Sequence, residues 1–343
     1  MEILLYTIVF LLLLVVSNVT NRLLPQLPLP LVQIVLGISL GFLLPQGKFH
    51  LDTELFLALV IGPLLFREAE ESNITSILKH WRIILYLIFP VIFISTLGLG
   101  YLAHLLWAAL PLAACIAVGA ALGPTDLVAF ASLSERFSFP KRVENILKGE
   151  GLLNDASGLV AFRVALLAWT TGSFSLEKAS ISLVLSIIGG FAVGMASAAL
   201  NRWLHKLLMS AQVSDIASEL LLELSLPLVT FFLAEEIHVS GIIAVVVAGI
   251  FKASRFKRIT LLEAQVDSVT ETIWNTVNFM LNGSVFIILG IELEMIAEPI
   301  LKSPIYDNLL LLVSIVLLTF LLFALRFVML FTFYFIRIRR LHK

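Results

Sequence analysis

Residues Gly119 to Arg163 read GAALGPTDLVAFASLSERFSFPKRVENILKGEGLLNDASGLVAFR. Two apolar spans lie within this segment, and each carries polar groups at depths where a membrane helix ordinarily has none. The first places Thr125 and Asp126 directly after Gly123-Pro124. The second places Glu150, then Asn154-Asp155, inside the apolar run from Leu147 to Leu167. A charged side chain at the centre of a bilayer costs several kcal/mol, about 2.5–3.5 on insertion scales, and is rarely idle there. One reading is a paired carboxylate that only fixes helix packing; the other is an ion or proton pathway. We adopt the second.

Composition sets the frame around this segment. The chain has 343 residues, 59% hydrophobic and only 14% charged, with a mean hydropathy of +1.03. Soluble domains carry about 25% charged residues, so the sequence describes an all-α polytopic membrane protein in contact with the lipid bilayer. No polar linker divides the hydrophobic runs, and one transmembrane domain is expected over 1–343. A net charge of −1 argues against nucleic acid as a partner. The single Cys115 rules out a disulfide framework. No Gly-rich phosphate loop is present, so ATP-driven transport has no support, and no cofactor is expected. The N-terminal apolar run lacks a cleavage site and reads as the first span.

Windows of about 20 apolar residues give eleven candidate helices. They lie near 3–22, 29–45, 52–68, 83–106, 110–133, 147–170, 179–201, 216–235, 238–253, 270–296 and 306–336. Alternating the connections places 16 basic residues on one side, from Arg22 to Lys343, and three on the other, Lys48, Lys178 and Lys302. That bias makes the first side cytoplasmic, with the N-terminus outside and the Lys343 end inside, in the cell membrane. Lys148 and Arg67 can snorkel to the cytoplasmic interface. Arg326 is too far from the basic cluster at Arg337 to do so: at 1.5 Å per residue it lies roughly 15 Å deep. A buried guanidinium wants a carboxylate, and Glu150 is the candidate.

Other polar features read as structural. Gly37-x3-Gly41 and Gly190-x3-Gly194 allow close helix packing. The six histidines show no metal spacing. His80 and His205 near the inner surface, like His104 and His238 near the outer, are expected to be solvated. The segment Arg136 to Lys148 reads as a basic, partly helical cytoplasmic linker.

Gly123-Pro124 falls inside a span. Pro124 lacks an N–H and its ring clashes with the Ala120 carbonyl, so the helix is expected to break there. Thr125 and Asp126 then begin a second half-helix, either as its cap or as part of an unwound segment whose oxygens face a cation. Broken helices at the membrane midplane are how many secondary transporters build their sites. The Asp155 carboxylate can hold a proton or a small hard cation, which prefers oxygen ligands. Competition of the two for one carboxylate is sufficient for exchange. Neutral Asn154 beside it leaves one ionisable group, which implies one proton for one cation and hence electroneutral exchange.

Gly-Pro-Thr-Asp at 123–126, Phe-Pro-Lys-Arg at 139–142 and Gly-Glu-Gly-Leu-Leu-Asn-Asp at 149–155 resemble the monovalent cation:proton antiporter family 1, the Na+/H+ exchanger family, in its bacterial form. Ser-Gly-Ile-Ile-Ala-Val-Val-Val-Ala-Gly at 240–249 is similar to a later family segment, as is the run Trp274, Asn278, Asn282-Gly283, Phe286, Gly290. The resemblance implies an inverted-repeat antiporter fold, exchange of Na+ or Li+ for H+, and a homodimer. It implies Asp155 as the cation- and proton-binding carboxylate, Asn154 as its partner, Thr125 as an oxygen donor and Asp126 as support for the crossing region. Glu150 and Arg326 would form an ion pair between the sixth and eleventh helices. Glu68 best fits the acidic residue that the family carries on its third helix.

Three departures stand out. Gly151 replaces the usual Ser, so one hydroxyl ligand is missing. Lys148 stands where the family often has an acid. Family members carry two further helices after the eleventh, one with a second broken segment and a further Arg, so the chain is expected to be truncated at its C-terminus. Two other functions fit parts of the pattern. One is a K+-selective antiporter or a sodium-coupled solute symporter. The other is an intramembrane aspartyl protease with Asp126 and Asp155 as its dyad, although the Gly-x-Gly-Asp pattern of such proteases is absent.

Overall fold

The computed structural model describes residues 2–43, 52–72, 79, 82–84, 86–124, 140–171, 176–211, 215–253, 261–302 and 308–341. Regular structure among them is entirely helical. Helix α1 is Glu2–Leu23 and α2 is Leu29–Leu43. Helix α3 joins Thr53–Phe56, a π-helical turn at Leu57–Ile61 and Gly62–Glu71. Helix α4 joins a second π-helical turn at Leu87–Val91 to Ile92–Leu106. The others are α5 Leu112–Leu122, α6 Lys141–Thr171, α7 Leu176–Ser210, α8 Ile216–Glu236, α9 Gly241–Ala253, α10 Leu261–Lys302 and α11 Asn308–Leu341.

This is the fold of a polytopic helical membrane protein. Among the described residues, Val184–Ser210, Ile216–Glu236 and Asn308–Thr332 are long and apolar enough to cross a bilayer unaided. Their outward faces carry large apolar side chains, as at Phe320, Phe323 and Phe327 of α11. Glycine, alanine and hydroxyl residues gather inside, because lipid takes apolar side chains as readily as a protein core does. Both π-helical turns have a proline as their cause. Pro63 cannot donate to the helix ladder, and just before it the Gly62 N–H reaches back five residues to the Leu57 carbonyl. Pro90 lies within the other turn.

Helix α6 begins at Lys141, inside the stretch expected to be a linker and well ahead of the apolar run from 147. Pro140 precedes the first turn, where a missing N–H does no harm, and its carbonyl accepts from Val143 N at 2.8 Å. At the start of α8, Asp215 accepts from the Ser218 N–H at 2.9 Å. Hydrogen bonding to Ser218 holds the Asp215 carboxyl below the usual carboxylate range.

The chain forms two compact units. One contains α1, α2, α3, α8, α9, α10 and α7 from Leu185 onward. Its helices meet backbone to backbone at glycine. A methyl group on Gly37 would come within 2.2 Å of the Ile287 carbonyl, and one on Gly290 within 2.3 Å of the Ile34 carbonyl. Gly194 meets the Ala244 carbonyl in the same way at 2.3 Å. Leu14, Ile287 and Ile291 form the apolar core around the α2–α10 crossing.

The other unit contains α4, α5, α6 and α11. Leu99, Ala103, Cys115 and Leu318 make its apolar core. Helices α4 and α5 touch where a methyl on Gly119 would meet the Thr96 carbonyl at 2.3 Å. Just before α4, the Tyr86 hydroxyl donates to the Met329 carbonyl at 3.1 Å and so ties the start of that helix to α11.

Candidate functional site

The polar groups of the second unit converge where α5 stops. Small residues from Ala113 to Ala121 let α5 pack tightly against α4, and the helix ends at Leu122. Gly123 keeps right-handed backbone angles, and Pro124 then removes the next helical N–H. Thr125 and Asp126 follow immediately and lie outside the described residues.

Helix α6 runs past this end. A methyl on Gly158 would come within 2.2 Å of Pro124 Cγ, so only glycine allows the approach. Positions 151, 154, 155 and 158 fall on one stripe of α6 by the 3.6-residue period. The Asn154-Asp155 turn is therefore within about one helical turn of the contact with Pro124. The backbone of both residues is helical, while their side chains lie outside the described part.

Arg326, on α11, joins the two helices. Its Nη2 donates to the Gly123 carbonyl, an acceptor at the end of α5 where intrahelical donors run out. A cation at a helix C-terminus also complements the negative end of the helix dipole. Arg326 Nη1 stands 3.7 Å from Glu150 Oε1, with the two side chains 20% and 4% exposed. Gly149 and Gly151 flank Glu150 and are buried with it. The arrangement gathers a helix end, a guanidinium, a buried carboxylate and the Asn154-Asp155 turn in one unit. Charged and polar groups of this kind are costly inside a bilayer unless they are paired or in use.

Glu68 belongs to the other unit, on α3, and is half-buried. The neighbouring charges there form a network that composition did not reveal. Lys252 Nζ lies 2.9 Å from Glu70 Oε1 and 2.6 Å from Glu223 Oε1. Trp274 Nε1 donates to Glu223 Oε1 at 3.0 Å. Arg67 pairs with Glu70 at 3.0 Å and Glu71 at 2.7 Å, and its guanidinium carbon sits 5.8 Å from the Trp274 ring centroid. Arg67 thus does not reach out to the interface but is held by carboxylates and an aromatic ring. Lys252, in the last turn of α9, is only 15% exposed. His205 also differs from the expected solvated side chain: its Nδ1 contacts the Glu219 carboxylate, and both are largely buried. The available signal was Glu219 and Glu223, two carboxylates one turn apart at the start of an apolar helix.

Residues 7–341 match the family described as sodium/hydrogen exchanger, transmembrane. The chain belongs to that family of transporters, and the intramembrane protease reading falls with it. It is 38% identical over 328 residues, 95% of its length, to the sodium, potassium, lithium and rubidium/H(+) antiporter of Bacillus subtilis (strain 168). That alignment covers 49% of the relative. It is 33% identical over 314 residues to the uncharacterized Na(+)/H(+) exchanger YjcE of Escherichia coli (strain K12), covering 90% of this chain and 56% of that one. The chain thus spans about half the length of these relatives. The solved structure of the sodium proton antiporter MjNhaP1 from Methanocaldococcus jannaschii superposes with a TM-score of 0.68 at 19% identity. It covers 93% of this chain and 77% of that one, which shows a shared fold.

Proposed function

We propose that the chain exchanges a monovalent cation, Na+ or Li+, for H+ across the cell membrane. Cation and proton compete for Asp155, with Asn154, Thr125 and Asp126 supplying neighbouring oxygens. The observation that carries this reading is the contact of Gly158 with Pro124, which sets the Asn154-Asp155 turn of α6 against the end of α5. Glu150 and Arg326 neutralise one another beside it and hold the Gly123 carbonyl in place. One titrating carboxylate at the exchange point makes the cycle one-for-one and electroneutral. The N-terminus faces outward and the Lys343 end the cytoplasm, in keeping with the bias of basic residues, and the protein works as a homodimer.

A second reading extends the cation range to K+. The Bacillus subtilis relative is named for sodium, potassium, lithium and rubidium, and Gly151 offers no hydroxyl to narrow the choice. Cation-induced dequenching of a pH probe in everted vesicles tests both readings. Each exchanged cation should give proton movement, and Asp155→Asn should abolish it while the protein still inserts. An imposed membrane potential should leave the rate nearly unchanged, although it offers about 2.3 kcal/mol per charge per 100 mV. Retained exchange in Asp155→Asn removes the assignment of Asp155; a rate that follows the potential removes electroneutrality.

A further inference from the structure

We propose that His205 and Glu219 form a proton-dependent latch that fastens α7, the helix linking the two units, to α8. The helix is continuous from Leu176 to Ser210. Its first residues, as far as Val184, group with the second unit, and from Leu185 onward it belongs to the first. What holds its far end therefore decides how firmly the link is anchored in the first unit. Three side chains supply that hold. Asn201 Nδ2 donates to the Leu222 carbonyl of α8 at 3.2 Å, Arg202 Nη2 donates to the Phe251 carbonyl of α9 at 3.5 Å, and His205 Nδ1 contacts the Glu219 carboxylate. The amide and the guanidinium keep one charge state at any physiological pH. The imidazole does not.

The surroundings make that proton matter. Glu219 Oε1 is enclosed and accepts no hydrogen bond, so among the described residues His205 is what offsets this carboxylate. The other described charges on this side of α7 to α10 are engaged or exposed. Glu223, one turn along α8, is taken by Lys252 of α9 and Trp274 of α10. Arg202 is committed to the Phe251 carbonyl, while Lys206 of α7, Asp215 before α8 and Glu271 of α10 are exposed. With a proton, His205 is a cation against a buried anion, and the contact is charge-assisted. Without it, a neutral donor faces an anion that has lost its counter-charge. The end of α7 is thus held tightest when His205 is protonated, and it loosens as the pH rises through the histidine range, about pH 5 to 8. In the orientation proposed above, this end faces the cytoplasm. The latch carries the cytoplasmic proton level to the link between the units, and cation exchange runs faster once it opens. That last step rests on the antiporter reading; the latch itself does not.

Two substitutions test the latch in the full chain. His205→Asn keeps a neutral donor where Nδ1 stands and so fixes the unprotonated state, and Glu219→Gln removes the anion. The first measurement is amide hydrogen exchange in detergent over the last turns of α7 and the start of α8, divided by the intrinsic rate at each pH. In the unsubstituted chain, protection there should fall roughly tenfold from about pH 6 to about pH 8, the difference between a charge-assisted bond and a neutral one. Both variants should be flat over that range, with His205→Asn at the level the unsubstituted chain reaches at the higher pH. The second measurement is Na+-driven proton movement in everted vesicles, whose cytoplasmic face meets the medium. His205→Asn should be several-fold faster than the unsubstituted chain at about pH 6 and equal to it at about pH 8. Protection that falls as steeply in both variants, or is flat already in the unsubstituted chain, makes the contact a plain structural tie and overturns the latch. Should one variant fail to accumulate, the other decides. A latch seen by hydrogen exchange, with equal transport rates in His205→Asn at both pH values, overturns its control of transport. An unsubstituted chain that moves no cation overturns the antiporter reading, and hydrogen exchange then judges the latch alone.

Discussion

Arg326 donates from Nη2 to the main-chain oxygen of Gly123, joining α11 to the end of α5 across 203 positions of sequence. The same guanidinium faces the Glu150 carboxylate at 3.7 Å. One side chain therefore serves both a helix terminus and a buried anion, and three helices depend on it.

That dependence predicts the outcome of a double-mutant cycle. Removing one member of a buried pair leaves the other charge uncompensated, at a cost of about 3–5 kcal/mol, whereas removing both can be nearly neutral. Glu150→Gln and Arg326→Gln should each lower the melting temperature in detergent more than the double substitution does. The Gly123 hydrogen bond adds a refinement, because Glu150→Gln keeps it and Arg326→Gln loses it. Arg326→Gln should therefore be the more harmful single change. Additive losses would show that the two charges act independently.

Gly158→Ala should damage the protein although alanine is the better helix former. A methyl there would stand 2.2 Å from Pro124 Cγ, and overpacking of this kind costs about 1–3 kcal/mol. The gain in helix propensity, up to about 1 kcal/mol, offsets only part of it. Gly123→Ala, with nothing nearer than 3.4 Å, is the matched control and should keep its melting temperature. Equal melting temperatures for the two variants would mean that α6 can back away from Pro124 freely.

Lys252→Met should destabilise the first unit. Lys252 is the shared cation between Glu70 and Glu223, and its loss leaves two half-buried carboxylates facing each other. Arg67 and Trp274 still donate to them, so the loss should fall near about 3 kcal/mol, the low end for breaking a buried pair. Adding Glu223→Gln should recover much of it. A melting curve of Lys252→Met that superposes on the parent would place the lysine outside the network's energetics.

The apolar stretches were legible because a bilayer demands about 20 consecutive apolar residues and soluble cores do not. Where helices run on into water, that signal is silent. Hydropathy points to 147 for α6 and 270 for α10, whereas the helices begin at Lys141 and Leu261. The glycine pairs were legible as packing surfaces, since small residues four apart have few other uses in lipid. At the site, a proline within an apolar run announced the end of α5, and a guanidinium within another announced the need for a carboxylate. The partners of His205 and Lys252 were not legible, because a histidine or lysine near a span end looks solvated until the facing helix is known.

The reciprocal fit of Gly37 and Gly290 has a consequence for how this protein can vary. Each glycine receives a carbonyl of the opposite helix at a distance that excludes a single methyl. The separation of α2 and α10 is thus set by main chain against main chain, and no change elsewhere on either helix can compensate for a side chain at these two positions. The outer faces of both helices, by contrast, ask only for grease. In a library that randomises α2 and α10 together, the lipid-facing positions should drift freely among leucine, isoleucine, valine and phenylalanine. These two positions should return as glycine in every clone that folds.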